Sequence, residues 1–197
     1  MIYVLKFKNC WRKEGSKRMG DKTLVDWEIK KMVSEGKLVI ENFDEKCIGP
    51  ISYDMRAGEA YYLSPRGTWE PYNLKEQGSI EIDPFERIIV STYEAVKMPK
   101  NIMGRVRLKQ RWAVQGLSYV GGSIDPTYEG RLWLVLRNDG LVPVKISYLD
   151  PIVSVEWVVL EKECEGVFST KTFYNYSDLP PEKKSLLCRR ERCTHGR

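Results

Sequence analysis

From residue 38 onward the chain is a succession of short β-branched and aromatic runs: "KLVIENF", "EAYYL", "SIEID", "RIIVSTYEAV", "GLSYV", "GRLWLVLRN", "VPVKISYL" and "PIVSVEWVVL". Gly67, Gly78, Gly130 and the Asn138-Asp139-Gly140 turn separate them. Such side chains fit a pleated surface, and many short strands in one domain predict a sandwich or barrel. "SIEID" alternates like a half-buried strand, whereas "LWLVL" reads as buried on both faces. One good helix precedes the strands. Asp26 is placed to N-cap it, Ile29, Met32 and Val33 form its apolar stripe, and Gly36 is placed to end it. No second strong helix is expected.

The length of 197 residues suits one domain with a sizeable core, and no internal repeat divides it. A hydrophobic share of 42% with 30% charged residues is that of a soluble globular chain. No apolar run approaches the roughly 18 residues that span a bilayer. The start, "MIYVLKFKNCWRKEG", is too short in apolar residues before Lys6 and Lys8 for a signal peptide. A cytoplasmic location with reduced cysteines is the expectation.

The formal charge of +5 is unevenly spread. Residues 1–22 carry +5 and residues 182–197 carry +4, which leaves −4 for the stretch between. Basic ends on an acidic body suit a polyanionic partner such as nucleic acid; solvated termini are the plainer alternative. The pattern divides the chain into a basic N-terminal extension (1–22), a β domain (23–170) and an extended basic tail (171–197) containing "DLPPEKK". Within that tail Cys188, Cys193 and His195 supply at most three of the four ligands zinc needs, so chance spacing is the simpler reading. His195 is the only histidine, which leaves no internal pairing for a Ser-His or Cys-His nucleophile.

From Thr23, "TLVDWEIKKMVSEGKLVIENFDEKCIGPISYDMRAGEAYYL" places an "EGxLxI" after a helix and leads to "PxSYDxRxG". "IIVSTYEAVKMPKNIMGRV" and "IDPTYEGRLWLVLRNDG" follow in order. Together these stretches resemble the dCTP deaminase branch of the dUTPase-like family over about residues 23–160. The resemblance implies a distorted antiparallel β-barrel or jelly roll with one N-terminal helix. It also implies a homotrimer whose nucleotide sites are each built from more than one subunit.

The family's phosphate loop usually reads G-R-V-x-G-R-S-S-L-x-R-x-G-L. Laid on Gly104 to Leu117, Gly104, Arg105, Val106, Gly116 and Leu117 match, but the working positions do not. The glycine falls on Leu108, the first arginine on Lys109, the serines on Gln110 and Arg111, and the second arginine on Val114. Lysine keeps the charge of arginine without its bidentate fork. Gln110 and Arg111 fill space in which small residues would let backbone amides approach phosphate, although Arg111 retains a cation for a polyphosphate. The glutamate that shuttles protons in the deaminases aligns with Val135, which cannot do so. General acid–base catalysis supplies about 10²–10⁴-fold, so cytosine deamination is not expected.

Other positions match. Asp125 aligns with the aspartate that, in the dUTPase side of the family, orients the attacking water and contacts the sugar 3′-hydroxyl. Tyr128 aligns with the aromatic residue under the deoxyribose. Asp54 aligns with the aspartate of the first motif, which supports metal or neighbouring-loop geometry. "IDP" and "SYD" also make good turns and strand ends without any ligand. No glutamine of the dUTPase fourth motif appears near "LDPIVSVEW", and "GVFST" is a faint echo of its closing arm, with Phe168 as the stacking residue or simple packing.

Three readings follow. One is a catalytically degenerate family member, a trimeric scaffold, binding or regulatory protein with weak deoxynucleotide affinity. The second is a divergent dUTP or deoxynucleotide pyrophosphatase using Asp125, Mg²⁺ and the cations Lys109 and Arg111; the candidate nucleotide-binding residues overall are Lys109, Gln110, Arg111, Asp125 and Tyr128. The third is nucleic-acid binding through the basic ends.

Overall fold

The computed structural model describes residues 21–63 and 69–167. The strands are β1 (Lys22–Thr23), β2 (Val39–Ile40), β3 (Tyr53–Leu63), β4 (Trp69–Tyr72), β5 (Ser79–Ile82) and β6 (Arg87–Lys97). They continue as β7 (Ile102–Leu108), β8 (Leu117–Tyr119), β9 (Ser123–Ile124), β10 (Glu129–Asn138), β11 (Val144–Ser147) and β12 (Pro151–Val159). Helix α1 covers Asp26–Ser34, with single turns at α2 (Leu74–Gln77) and α3 (Gln110–Val114). A 3₁₀ turn covers Glu45–Cys47.

Every strand pairing is antiparallel. The main sheet runs β8-β10-β6-β3-β12-β7-β9, with β1 on β12, β2 on β6 and β4 on β3, while β5 and β11 form a separate pair. The curled sheet makes a half-barrel around a core that includes Met55, Val90, Leu134, Val155 and Trp157. The mainly β, barrel-like fold expected from the sequence is the fold observed. No helix among the described residues is long and apolar enough to cross a membrane.

Two local expectations need correction. Helix α1 begins at Asp26, so its cap is Val25, whose amide donates to Glu28 Oε2 at 3.2 Å. The apolar stripe and Gly36, at φ 66°, fall where expected. The strand buried on both faces is β6, not β10. β6 lies between β10 and β3, and Ile88 to Thr92 are all buried. In β10 the apolar Leu132, Leu134 and Leu136 turn inward together with Asn138, and Val135 is 38% exposed. The turn α2 is too short to be a second strong helix: Asn73 Oδ1 accepts from the Glu76 amide at 3.2 Å and Gly78 ends it at φ 78°. Its Asn…Gly bracket was visible in "NLKEQG".

Gly116 fixes how the segment after α3 joins the fold. It sits at φ 101°, and a Cβ there would lie 2.9 Å from Gly140 Cα. Asn138, fully buried, holds Gly140 by accepting its amide at 2.9 Å, and donates to the Ile82 and Val142 carbonyls, each at 2.8 Å. Gly116→Ala is expected to lose about 1–2 kcal/mol from the left-handed backbone alone. Chemical denaturation should show this as a lower midpoint at unchanged slope.

Candidate functional site

Strand register brings distant residues together at the end of β7. β12 lies between β3 and β7, so Ser154 stands opposite Asp54 on one side and Arg107 on the other. Ser154 Oγ donates to Asp54 Oδ1 at 2.7 Å, and the Lys109 ammonium pairs with Asp54 Oδ2. Asp54 therefore has one oxygen engaged with β12 and the other with the start of the loop. The Lys109 amide donates to the Ile152 carbonyl at 2.9 Å, which ties the loop to β12.

The loop itself is a helical turn because Trp112 anchors it. The indole is buried, and its Nε1 donates to the Pro151 carbonyl at 2.7 Å. Arg111 lies over the Trp112 ring, with 4.3 Å from Cζ to the ring centroid, and pairs with Asp150 at 3.5 Å. Gln110 is exposed at the first position of α3. Both loop cations thus already face a carboxylate of their own chain. The partners Ser154 and Asp150 had no local signal in the sequence, since they lie on a strand and turn far along the chain.

Asp125 lies elsewhere. It follows β9, where Ile124 pairs with Gly104, and the antiparallel direction carries it away from Lys109. At about 3.3 Å per residue the two positions are separated by roughly 20 Å along β7. The Asp125 side chain is exposed. Tyr128 is buried in the core, and its hydroxyl donates to the Arg131 carbonyl. Val135 lies mid-strand on the outer face of β10, opposite Ile89. Phe168, Cys188, Cys193, His195 and most of both basic ends lie outside the described residues.

Beside Asp54 on β3, Arg56 organises a buried cluster. Its Nε donates to Glu94 Oε1 at 2.6 Å and its amide to Glu94 Oε2 at 2.8 Å. It also donates to the Asn42 carbonyl at 2.8 Å and lies 5.1 Å from the centroid of the Tyr93 ring. Burial pushes the Glu94 carboxyl above its ordinary range, while the bonds from Arg56 act against that shift. Two residues on, Gly58 lets β3 touch β6: a Cβ would lie 2.9 Å from the Thr92 carbonyl oxygen.

Known proteins fit this frame. The family model described as "dCTP deaminase-like" matches residues 23–153. The chain belongs to the dCTP deaminase-like family. Within the family, the dCTP deaminase of Pyrococcus horikoshii is 30% identical over 146 residues, covering 74% of this chain and 88% of that protein. The "dCTP deaminase, dUMP-forming" of Methanosphaera stadtmanae is 33% identical over 141 residues, covering 62% and 72% respectively. The solved 2'-deoxycytidine 5'-triphosphate deaminase of Agrobacterium tumefaciens superposes with a TM-score of 0.59 at 17% identity. That match covers 71% of this chain and 48% of the solved one, and it shows the shared fold.

Among the described residues no group of three or more His, Cys, Asp or Glu is arranged to hold a metal ion.

Proposed function

We propose that this chain is a catalytically degenerate member of the family, a homotrimeric scaffold, binding or regulatory protein whose affinity for deoxynucleotides is weak. The observation that carries the reading is the internal pairing of the loop: Lys109 with Asp54 and Arg111 with Asp150. A polyphosphate competes with these carboxylates, more so at Lys109 than at the half-exposed Arg111, and Lys109 lacks the fork that binds phosphate in bidentate fashion. Val135, where the resemblance expects the proton-shuttling glutamate, supports the loss of deamination. Asp54, with both oxygens engaged, offers Mg²⁺ no free carboxylate. Any Mg²⁺ would arrive on phosphate oxygens and water, the usual way this ion is carried.

The trimer is supported by the separation of Asp125 from Lys109, since a site using both needs a second subunit. The partly exposed Val135 on the outer face of β10 also leaves apolar surface for a neighbour. Light scattering is expected to give three times the chain mass of 22.9 kDa. A monomer at micromolar concentration would contradict it.

The second reading, a divergent Mg²⁺-dependent deoxynucleotide pyrophosphatase, is favoured by the exposed Asp125. Calorimetric titration of dUTP with Mg²⁺ into wild type and Asp125→Asn separates the two. The degenerate reading expects weak, salt-sensitive heat that is similar in both proteins, with no turnover. Hydrolysis in wild type alone would replace it with the pyrophosphatase. The third reading, nucleic-acid binding, rests on basic ends outside the described residues.

A further inference from the structure

A cleft of 590 Å³ lies among β3, β4, β5 and the start of β6, and no residue of the candidate site lines it. Its apolar walls are Tyr62, Tyr72, Ile80, Phe85 and Ile88. The two tyrosine rings meet edge-on at 6.4 Å. Hydrogen bonds at their far ends fix them: Tyr62 to Glu70 at 3.1 Å and Tyr72 to the Ser79 carbonyl at 2.8 Å. The rings therefore form rigid walls before anything binds.

Phe85 makes the third aromatic wall. It is 61% exposed and held at φ 66°. That backbone region disfavours a bulky side chain by about 1–2 kcal/mol. A bond from its amide to the Asn138 carbonyl at 2.7 Å helps to keep it there. A strained backbone holding an aromatic ring in water is accounted for if the ring has a ligand to meet. Glu81, Glu86 and Arg87 also line the cleft and leave it one net negative charge.

Rigid aromatic walls with acids beside them suit an extended, proline-containing, basic peptide. Such a segment enters a groove already ordered, so little conformational entropy is lost. The chain has adjacent prolines followed by Lys183 and Lys184 in "DLPPEKK", residues 178–184, a segment of no net charge outside the described residues. Pro180 is thirteen residues beyond Val167, a reach of about 43 Å when extended. A domain of this size has a radius of gyration of about 15 Å, so the cleft is within reach from any starting direction. The basic end of the chain complements Glu81 and Glu86.

We propose that this cleft receives Leu179–Lys184 of the same chain, with Pro180 and Pro181 against Tyr62, Tyr72 and Phe85 and with Lys183 and Lys184 at Glu81 and Glu86. The proposal stands independently of whether the protein turns over a nucleotide.

Brief trypsin digestion of the full-length chain, followed by mass spectrometry, tests it. Cleavage after Lys183 and Lys184 is compared in wild type, Phe85→Gly, Glu81→Lys and Pro180→Ala/Pro181→Ala. Glycine suits the left-handed backbone at 85, and the proline changes leave the β domain untouched, so the variants stay folded. A short tether gives millimolar effective concentration, and protection of about tenfold in wild type is expected at every protein concentration. All three variants should lose it, while cleavage after Arg189 and Arg190 stays the same. Hydrogen exchange across residues 80–88 should rise in the proline variant. Equal cleavage in wild type and Phe85→Gly would overturn the proposal. Protection that grows with protein concentration would also overturn it, by assigning the cleft to the tail of another copy.

Discussion

Arg56→Ala is expected to lower the unfolding free energy by about 3–5 kcal/mol, the usual cost of stranding one partner of a buried ion pair. Glu94 has no exposed surface, and Arg56 gives it two hydrogen bonds, one from the side chain and one from the backbone. Truncation keeps the backbone bond but leaves the buried charge without its counter-ion. The melting temperature should fall by about 10 °C for a domain of this size. The deficit also has a pH signature. Burial raises the folded-state pKa of Glu94, so the stability that its proton contributes is present at low pH and lost as pH rises through the raised value. Removing Arg56 removes an influence that lowers this pKa and strengthens the dependence. The gap between wild type and variant should therefore narrow as pH is lowered towards about 4. A gap that widens on acidification would show that Glu94 is not the group left stranded.

The fold was legible because it follows from periodicity and turn chemistry. "SIEID" announced its alternation, and β5 buries Ile80 and Ile82 while exposing Glu81. "LWLVL" misled because a continuous apolar run looks the same whether both faces are covered within one chain or one face awaits a neighbour. The buried position of β6 depends on its place between β10 and β3, which is a property of topology and not of its own residues. Asp26 misled as a cap because Glu28, two residues later, reaches back to the Val25 amide.

The candidate site was legible in part. Residues that match the family's pattern have visible structural reasons: Arg56 binds Glu94, Gly58 lets β3 approach β6, and Gly116 turns left-handed against Gly140. The mismatched loop residues could be read as losses of phosphate-binding chemistry. Their partners could not be. Asp54 and Ser154 lie 100 positions apart and meet only through the β3–β12 register. Asp150 reaches Arg111 because Trp112 anchors the turn to Pro151. Trp112 stands where the family pattern has leucine, and only the structure shows that this larger side chain organises the loop.

Loss of chemistry is the largest effect the account predicts. If Val135 holds the proton-shuttling position, as the resemblance implies, no carboxylate there moves the proton that attack on cytosine requires, a step worth about 10²–10⁴-fold alone. On the proposed reading the paired loop cations also remove part of the phosphate positioning, which supplies several kcal/mol more in enzymes of any class. Val135→Glu alone is therefore not expected to create a deaminase. The decisive measurement is release of ammonia and of pyrophosphate from a panel of deoxynucleoside triphosphates with Mg²⁺, using full-length wild-type protein at high concentration. Neither product should rise above the protein-free blank. Ammonia from dCTP would contradict the account outright by showing that Val135 does not occupy the proton-shuttling position, and pyrophosphate release that disappears in Asp125→Asn would contradict it in favour of a working pyrophosphatase.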